Sequence, residues 1–205
     1  GLGWMGQAHS RAALRISSLF PDAEFKPELV VCADVEQGRR DRAVNDFGFA
    51  RAVPGFEEAV SAKDVDAVWV TAPNMLHVPM IAAAAAAGKA IFSEKPIGGT
   101  PAQTVEAYNL AKKYKTHTGV GYNYLWSPLV IHARELIASG AIGRVTHYRG
   151  RFLSMYGSDE LGLLTWRFKF AQAGYGVTSD ILSHSVSLAH FLVGGIAEVT
   201  GMKSN

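Results

Sequence analysis

Cysteine is nearly absent from this chain: there is one, Cys32, in 205 residues. An internal disulfide is therefore excluded, and the setting of Cys32 in the apolar run Leu29-Val30-Val31-Cys32-Ala33 makes it a small buried hydrophobe. A reducing compartment, the cytoplasm, fits such usage. No apolar run approaches the ~20 residues that cross a bilayer, so no membrane partner is expected. An excess of charge of either sign is missing too. Lys and Arg total 20 against 18 Asp and Glu, a formal +2, which leaves no basic footprint for nucleic acid. The first residue is Gly1 rather than methionine, so a leader or earlier segment stays open. What is present, 48% hydrophobic and 19% charged residues, suits a globular protein of one or two domains. Its expected partner is a small molecule or another copy of the chain.

The chain opens on Gly1-Leu2-Gly3-Trp4-Met5-Gly6, a Gly-x-Gly-x-x-Gly, and continues into an apolar-periodic helix over Gln7 to Phe20. Glycines there bring backbone amides close to a pyrophosphate at the positive end of the helix, with Trp4 and Met5 inside the same turn. The motif alone does not decide, because the strand that should precede it is not in the sequence; the natural protein is expected to be longer at its start. Pro27 to Ala33 reads as the next strand, ending in Asp34, 28 residues after Gly6. An acid there hydrogen-bonds both ribose hydroxyls and repels a 2′-phosphate, which favours NAD, with NADP as the alternative. Arg39, Arg40 and Arg42 pull the other way. They read either as a solvated helix face or as a phosphate clamp, and Arg39 also as a cover for the adenine.

A helix over Gln37 to Phe47, a short one over Phe56 to Ser61 and a further strand over Asp66 to Val70 follow. That strand ends in Thr71-Ala72-Pro73-Asn74, with His77 three residues on; Pro73, Asn74 and His77 are placed beside the cofactor. Asn74 also reads as a helix cap, with His77 on the first helical turn. Six alanines within Ile81 to Ala87 indicate close helix packing. Ala90-Ile91-Phe92 is then a buried parallel strand whose carboxyl end presents Ser93-Glu94-Lys95-Pro96, the edge at which open α/β sheets bind ligands. Glu94 and Lys95 point to opposite faces, and Pro96 admits a cis bond before it. A solvated Glu-Lys pair ahead of a turn is the plainer alternative. Thr100 and Pro101 start a helix to Tyr114, and Thr116 to Tyr122 forms another strand. Repeated strand-helix units define a doubly wound parallel sheet. The pattern changes near Tyr124: Pro128 to Ser139 is an amphipathic helix, and Val145 to Ser154 alternates as a long antiparallel strand would.

A second constellation comes later: Trp166-Arg167, Gly174-Tyr175-Gly176, and Asp180 four residues before His184. On one helix Asp180 and His184 share a face, and a carboxylate behind an imidazole fixes its tautomer for general-base work. Such a pair is also common on surfaces. Leu182, Val186, Leu188, Phe191 and Leu192 make a buried helix the expectation here, where an unpaired acid and imidazole are costly.

Taken in order, the glycine turn, Thr71-Ala72-Pro73-Asn74 with His77, Glu94-Lys95-Pro96, Gly121-Tyr122-Asn123-Tyr124, Gly140 with Gly143, Trp166-Arg167 and Asp180-x-x-x-His184 resemble the glucose-fructose oxidoreductase, inositol dehydrogenase and MocA family. The resemblance covers nearly the whole chain. It implies a Rossmann domain over residues 1–124, lacking its first strand, and the start of a substrate-binding and oligomer-building α/β domain over 125–205, whose open, mainly antiparallel sheet continues beyond Asn205. It implies an NAD(P)-dependent oxidoreductase of a sugar, polyol or related hydroxy compound, forming a homo-oligomer, dimer or tetramer, with no metal. Lys95, Asp180 and His184 take the catalytic roles, and Glu94 and Asn123 lie near the nicotinamide or substrate. Trp166 and Tyr175 read either as aromatic surface that packs on a sugar ring in the substrate site or as core. Ser187 replaces an acid that many relatives carry, and Tyr175 interrupts a glycine-rich run. Redox-neutral turnover with transiently used NAD, and a cofactor-binding protein without turnover, are the rival readings.

Asp34 predicts tighter binding of NAD than of NADP. Titration with both cofactors measures this, and a preference for NADP would show that the three arginines outweigh the carboxylate.

Overall fold

The computed structural model describes residues 1–202. The last three positions of the expected second domain, 203–205, lie outside the described residues. The chain divides into two compact units, one of residues 1–121 with 165–174 and one of 122–164 with 175 onward.

The first unit is built of alternating helices and parallel strands. Helix α1 (Trp4–Leu19) leads through a long connection to β1 (Val31–Ala33), followed by α2 (Gln37–Phe47), β2 (Arg51–Val53), α3 (Phe56–Ser61), β3 (Ala67–Val70), α4 (His77–Ala86), β4 (Ala90–Ser93), α5 (Pro101–Tyr114) and β5 (Thr118–Val120). Pairing is parallel throughout but falls into two pieces, β1-β2 and β3-β4-β5, instead of the single doubly wound sheet expected. Register runs Cys32 to Ala52, Val68 to Ile91 and Phe92 to Gly119. Gly1 and Leu2 link the pieces, since the Leu2 amide donates to Asp34 just past β1 and the Thr71 hydroxyl just past β3 donates to the Gly1 carbonyl.

Local chemistry explains most boundaries. Gly48, in the left-handed region at φ 74°, ends α2. The Thr100 hydroxyl accepts the Gln103 amide at 3.2 Å and Pro101 occupies the first turn, so α5 starts where the sequence placed it. The alanines of α4 bring it close to its neighbours: Ala84 and Ala85 are buried with Val70, Val78, Ile81, Ile91 and Ala107 in one core. A second core joins Leu2, Cys32, Ala43 and Phe47. The expected strand from Pro27 shortens to three residues, although the Leu29 and Val30 carbonyls already accept the Ala50 and Arg51 amides. Strand β2 has no counterpart in the sequence reading, because three residues carry too little period to register.

Residues 165–174 return to this unit. A short 3₁₀ turn (Trp166–Phe168) and α7 (Phe170–Ala173) end at Gly174. There φ is +67°, and a Cβ would overlap the Gly99 carbonyl. The Asn74 side-chain amide donates to the Ala173 carbonyl at 3.2 Å.

The second unit has a 3₁₀ turn (Asn123–Trp126), α6 (Pro128–Ala138), α8 (Val177–Asp180) and α9 (Leu182–Val193). Two expectations fail here. Val145 to Ser154 forms no strand among the described residues, since no neighbouring segment supplies the partner amides and carbonyls that an alternating pattern needs. The expected single helix through Asp180 and His184 is divided at Ile181, and it is not largely buried. Leu182 and Val186 are exposed, and His184 is the buried residue of α9. Ile181 keeps right-handed helical angles, so the chain turns in the same sense through the break.

Replacing Gly174 with alanine should free residues 165–174 from the first unit, at a cost of about 1–3 kcal/mol from overpacking and the left-handed backbone. Faster tryptic cleavage at Arg167 and Lys169, with a lowered unfolding midpoint, is the expected outcome; unchanged cleavage would show that the segment is held elsewhere.

Candidate functional site

The glycine turn is shaped by contact as much as by conformation. A Cβ on Gly6 would overlap the Gly1 carbonyl. Gly3 caps α1 and its carbonyl accepts the Gln7 amide at 3.0 Å. Helix α1 has no acidic side chain in its first turn, so the positive end of its dipole is not neutralised. Trp4 is exposed there, Met5 is half-buried, and Gly6 lies buried beneath them.

Asp34 closes this turn from below. It is buried, and its carboxylate accepts the Leu2 amide at 2.7 Å through one oxygen and the Glu36 amide at 2.9 Å through the other. Arg39 reaches Asp34 at 3.7 Å and Glu36 at 3.1 Å. Arg40 donates to the carbonyls of Asp34 and Val35 and to the Gln37 side chain, and Arg42 pairs with Asp46. Each of the three guanidinium groups thus already serves an acid or a carbonyl. A bare, cramped glycine turn, an open helix end and an acid at the adjacent strand terminus together fit the pyrophosphate and ribose of a dinucleotide.

The exits of β3 and β4 are tied together by His77, which is 1% exposed. One ring nitrogen lies 2.7 Å from the Ala72 carbonyl and the other 2.8 Å from the Pro96 carbonyl. A neutral ring donates to one of these, and a protonated ring to both. Burial pushes the imidazole below its usual pKa, opposed by the two carbonyls and by the charge of Glu94. Pro73 precedes the 3₁₀ turn Asn74–Leu76, and Asn74 is buried with its side chain on Ala173. Beyond β4 the Lys95-Pro96 bond is cis.

Glu94 is the acid at that exit, and it too is buried. It accepts the Lys95 amide at 3.2 Å, and its other oxygen lies 2.7 Å from the ring of His9 on α1. Its carboxylate rests against bare Gly121, where a Cβ would come within 2.8–2.9 Å. His9 was not a candidate from sequence. The available signal was its place one helical turn after Gly6, on the side of α1 that buries Gly6 and Ser10.

In the second unit, His184 sits in an aromatic box. Its ring stacks on Phe152 at 5.4 Å and meets Tyr124 and Tyr122 edge-on at 4.9 and 6.0 Å. Tyr122 is bonded to Ser183, and burial pushes its phenol upward against that bond. The Ser187 hydroxyl donates to the His184 carbonyl at 2.9 Å. Asn123 is exposed at the start of its turn, Tyr175 is exposed between Gly174 and Gly176, and half-buried Asp180 ends α8. Trp166 lies in the first unit under the Arg167 guanidinium, 4.5 Å from its ring.

This arrangement is that of a family. Residues 1–122 match the oxidoreductase family with an NAD-binding Rossmann fold, and 130–205 match the GFO/IDH/MocA C-terminal domain. The chain belongs to the Gfo/Idh/MocA oxidoreductases. It is similar to levoglucosan dehydrogenase of Pseudarthrobacter phenanthrenivorans, with 33% identity over 204 residues, all of this chain and 52% of that protein. It is also similar to scyllo-inositol 2-dehydrogenase (NAD(+)) of Bacillus subtilis, at 26% identity over all of this chain and 55% of that protein. Among solved structures, levoglucosan dehydrogenase in complex with NADH and levoglucosan superposes with a TM-score of 0.91 at 34% identity, covering 95% of this chain and 52% of that one. The chain spans about half the length of the curated relatives it matches. No helix among the described residues is long and apolar enough to cross a membrane.

The direction at His77 sets a pH dependence. Its unfolded pKa is about 6.5 and its folded value is lower, so its contribution to stability is present above about pH 6.5 and is lost as pH falls toward the folded value. The melting temperature should drop on acidification from about pH 7.5 to about pH 5, and drop less in His77→Gln, which bonds one carbonyl but does not titrate. Equal drops in both proteins would assign the acid sensitivity to other groups.

Proposed function

We propose that the protein is an NAD-dependent dehydrogenase acting on a hydroxyl-bearing carbon of a sugar or polyol. The observation that carries this reading is the similarity over the full chain to a levoglucosan dehydrogenase, together with a site chemistry suited to that reaction. Gly1, Gly3, Trp4, Met5 and Gly6 would hold the pyrophosphate, and Asp34 the adenosine ribose, with Arg39 beside it. The engagement of Arg39, Arg40 and Arg42 supports NAD over NADP. Pro73 and Asn74 shape the loop beside the cofactor, and His77 braces it.

When bound, the nicotinamide takes up or returns the hydride. His184 removes the hydroxyl proton, Lys95 donates a hydrogen bond to the oxygen as it gains negative charge, and Asp180 orients the imidazole. The aromatic box fixes the plane of the His184 ring, which a general base requires if its lone pair is to meet one proton. Glu94, Asn123, Trp166 and Tyr175 complete the cofactor and substrate contacts.

The Rossmann domain is assigned to residues 1–124 and the start of the substrate domain to 125–205. Exposed Leu153, Met155, Leu161, Leu163 and Leu164 form the sort of apolar surface that a second copy covers, which supports a homo-oligomer. Cys32, buried and free, is consistent with the cytoplasm.

Reduced nicotinamide, followed by its absorbance, should accumulate when the protein is given NAD and a panel of anhydrosugars, inositols and aldoses. Lys95→Ala and His184→Ala should each still bind NAD but turn over about 10² or more slower, the scale of a lost acid-base group. Wild-type rates in both variants would remove the mechanism.

A further inference from the structure

Strand β4 places alternate side chains on opposite faces, so Phe92 and Glu94 share the face turned toward α1. His9 meets both. Its ring lies edge-on to the Phe92 ring at 5.2 Å, and its Nε2 is 2.7 Å from a Glu94 oxygen. The Glu94 side chain is 8% exposed against 23% for His9, so the carboxylate has little water to replace a lost partner. Bare Gly121 packs against the carboxylate, and the second Glu94 oxygen accepts the Lys95 amide. The acid is therefore held at three points, of which His9 is the only one drawn from α1, the helix that opens at the glycine turn.

We propose that His9 is a positioning residue: by holding one oxygen of Glu94, it fixes the other on the Lys95 amide and so sets the chain direction at Lys95. The inference rests on the reading above only in so far as Lys95 acts on substrate. The placement of Lys95 itself is testable without turnover. A leucine at position 9 keeps bulk against Phe92 but leaves the Glu94 oxygen without its partner. The carboxylate then turns toward water and releases the Lys95 amide. A glutamine keeps an N–H donor of similar reach and should restore the arrangement.

The test compares wild type, His9→Leu and His9→Gln, each with its melting temperature recorded. In the protein without cofactor, lysines are acetylated briefly and the modified peptides quantified by mass spectrometry, with Lys89 and Lys115 as internal references. Lys95 should label faster in His9→Leu relative to both references and return to the wild-type rate in His9→Gln. On substrate, kcat in His9→Leu should fall about tenfold or more, as expected for a misplaced catalytic group, with the NADH dissociation constant little changed. If His9→Leu does not fold, His9→Asn, whose amide is too short to reach Glu94, takes its place. Lys95 labelling that stays at the wild-type rate in the leucine or asparagine variant overturns the proposal. Wild-type turnover in Lys95→Ala, alongside altered labelling in His9→Leu, would instead sink the catalytic reading and leave the positioning role standing.

Discussion

A single buried imidazole holds together the edge of the first unit where its parallel strands end. Parallel strands leave their carboxyl ends as loops with no ladder to continue, and the backbone groups there need other partners. His77 supplies two such contacts across adjacent strands, touching Ala72 beyond β3 and Pro96 beyond β4. Asn74 then extends the brace to Ala173, so the return of residues 165–174 depends on the same corner. The cost is an imidazole taken out of water. That cost is tolerable because its ring nitrogens face carbonyl oxygens and a carboxylate lies nearby.

The glycine turn is organised on a similar plan, with a carboxylate in place of the imidazole. Asp34 receives two backbone amides, one from each side of the crevice between β1 and the start of α1. Its buried charge is thus met by fixed dipoles, with the Arg39 guanidinium 3.7 Å away, while Arg40 bonds the carbonyls of Asp34 and Val35 in the following loop. Positions that look like ligand contacts in the sequence, Asp34 and His77 among them, also carry the local structure. Their substitution would disturb both.

Much of the fold was legible because the signals were local. Thr100 and Pro101 announce α5 by capping chemistry, and the alanines of α4 imply close approach. Strand β2 escaped because three residues cannot display a period, and the alternation of Val145 to Ser154 misled because a pattern describes a face and not a partner. The motif residues were legible as a set, whereas their surroundings were not. His9 reaches Glu94 across 85 positions of sequence, and Phe152 stacks on His184 from a segment with no regular structure. Both contacts are long-range products of packing. The burial of α9 was overestimated because apolar content says how much surface can be covered, not whether a neighbour covers it.

Gly48 and Gly121 are both glycines for reasons visible in the structure, but the reasons differ in kind. At Gly48 the backbone is left-handed and the space around it is open, so asparagine, which tolerates that conformation, is an acceptable replacement. At Gly121 the backbone is ordinary and the obstacle is the Glu94 carboxylate. An added methyl there has no conformational remedy; it displaces the acid from its place against His9. Natural variation at 121 should therefore track the identity of residue 94 and ignore turn propensity altogether, making the two positions a linked pair in any lineage that carries this corner.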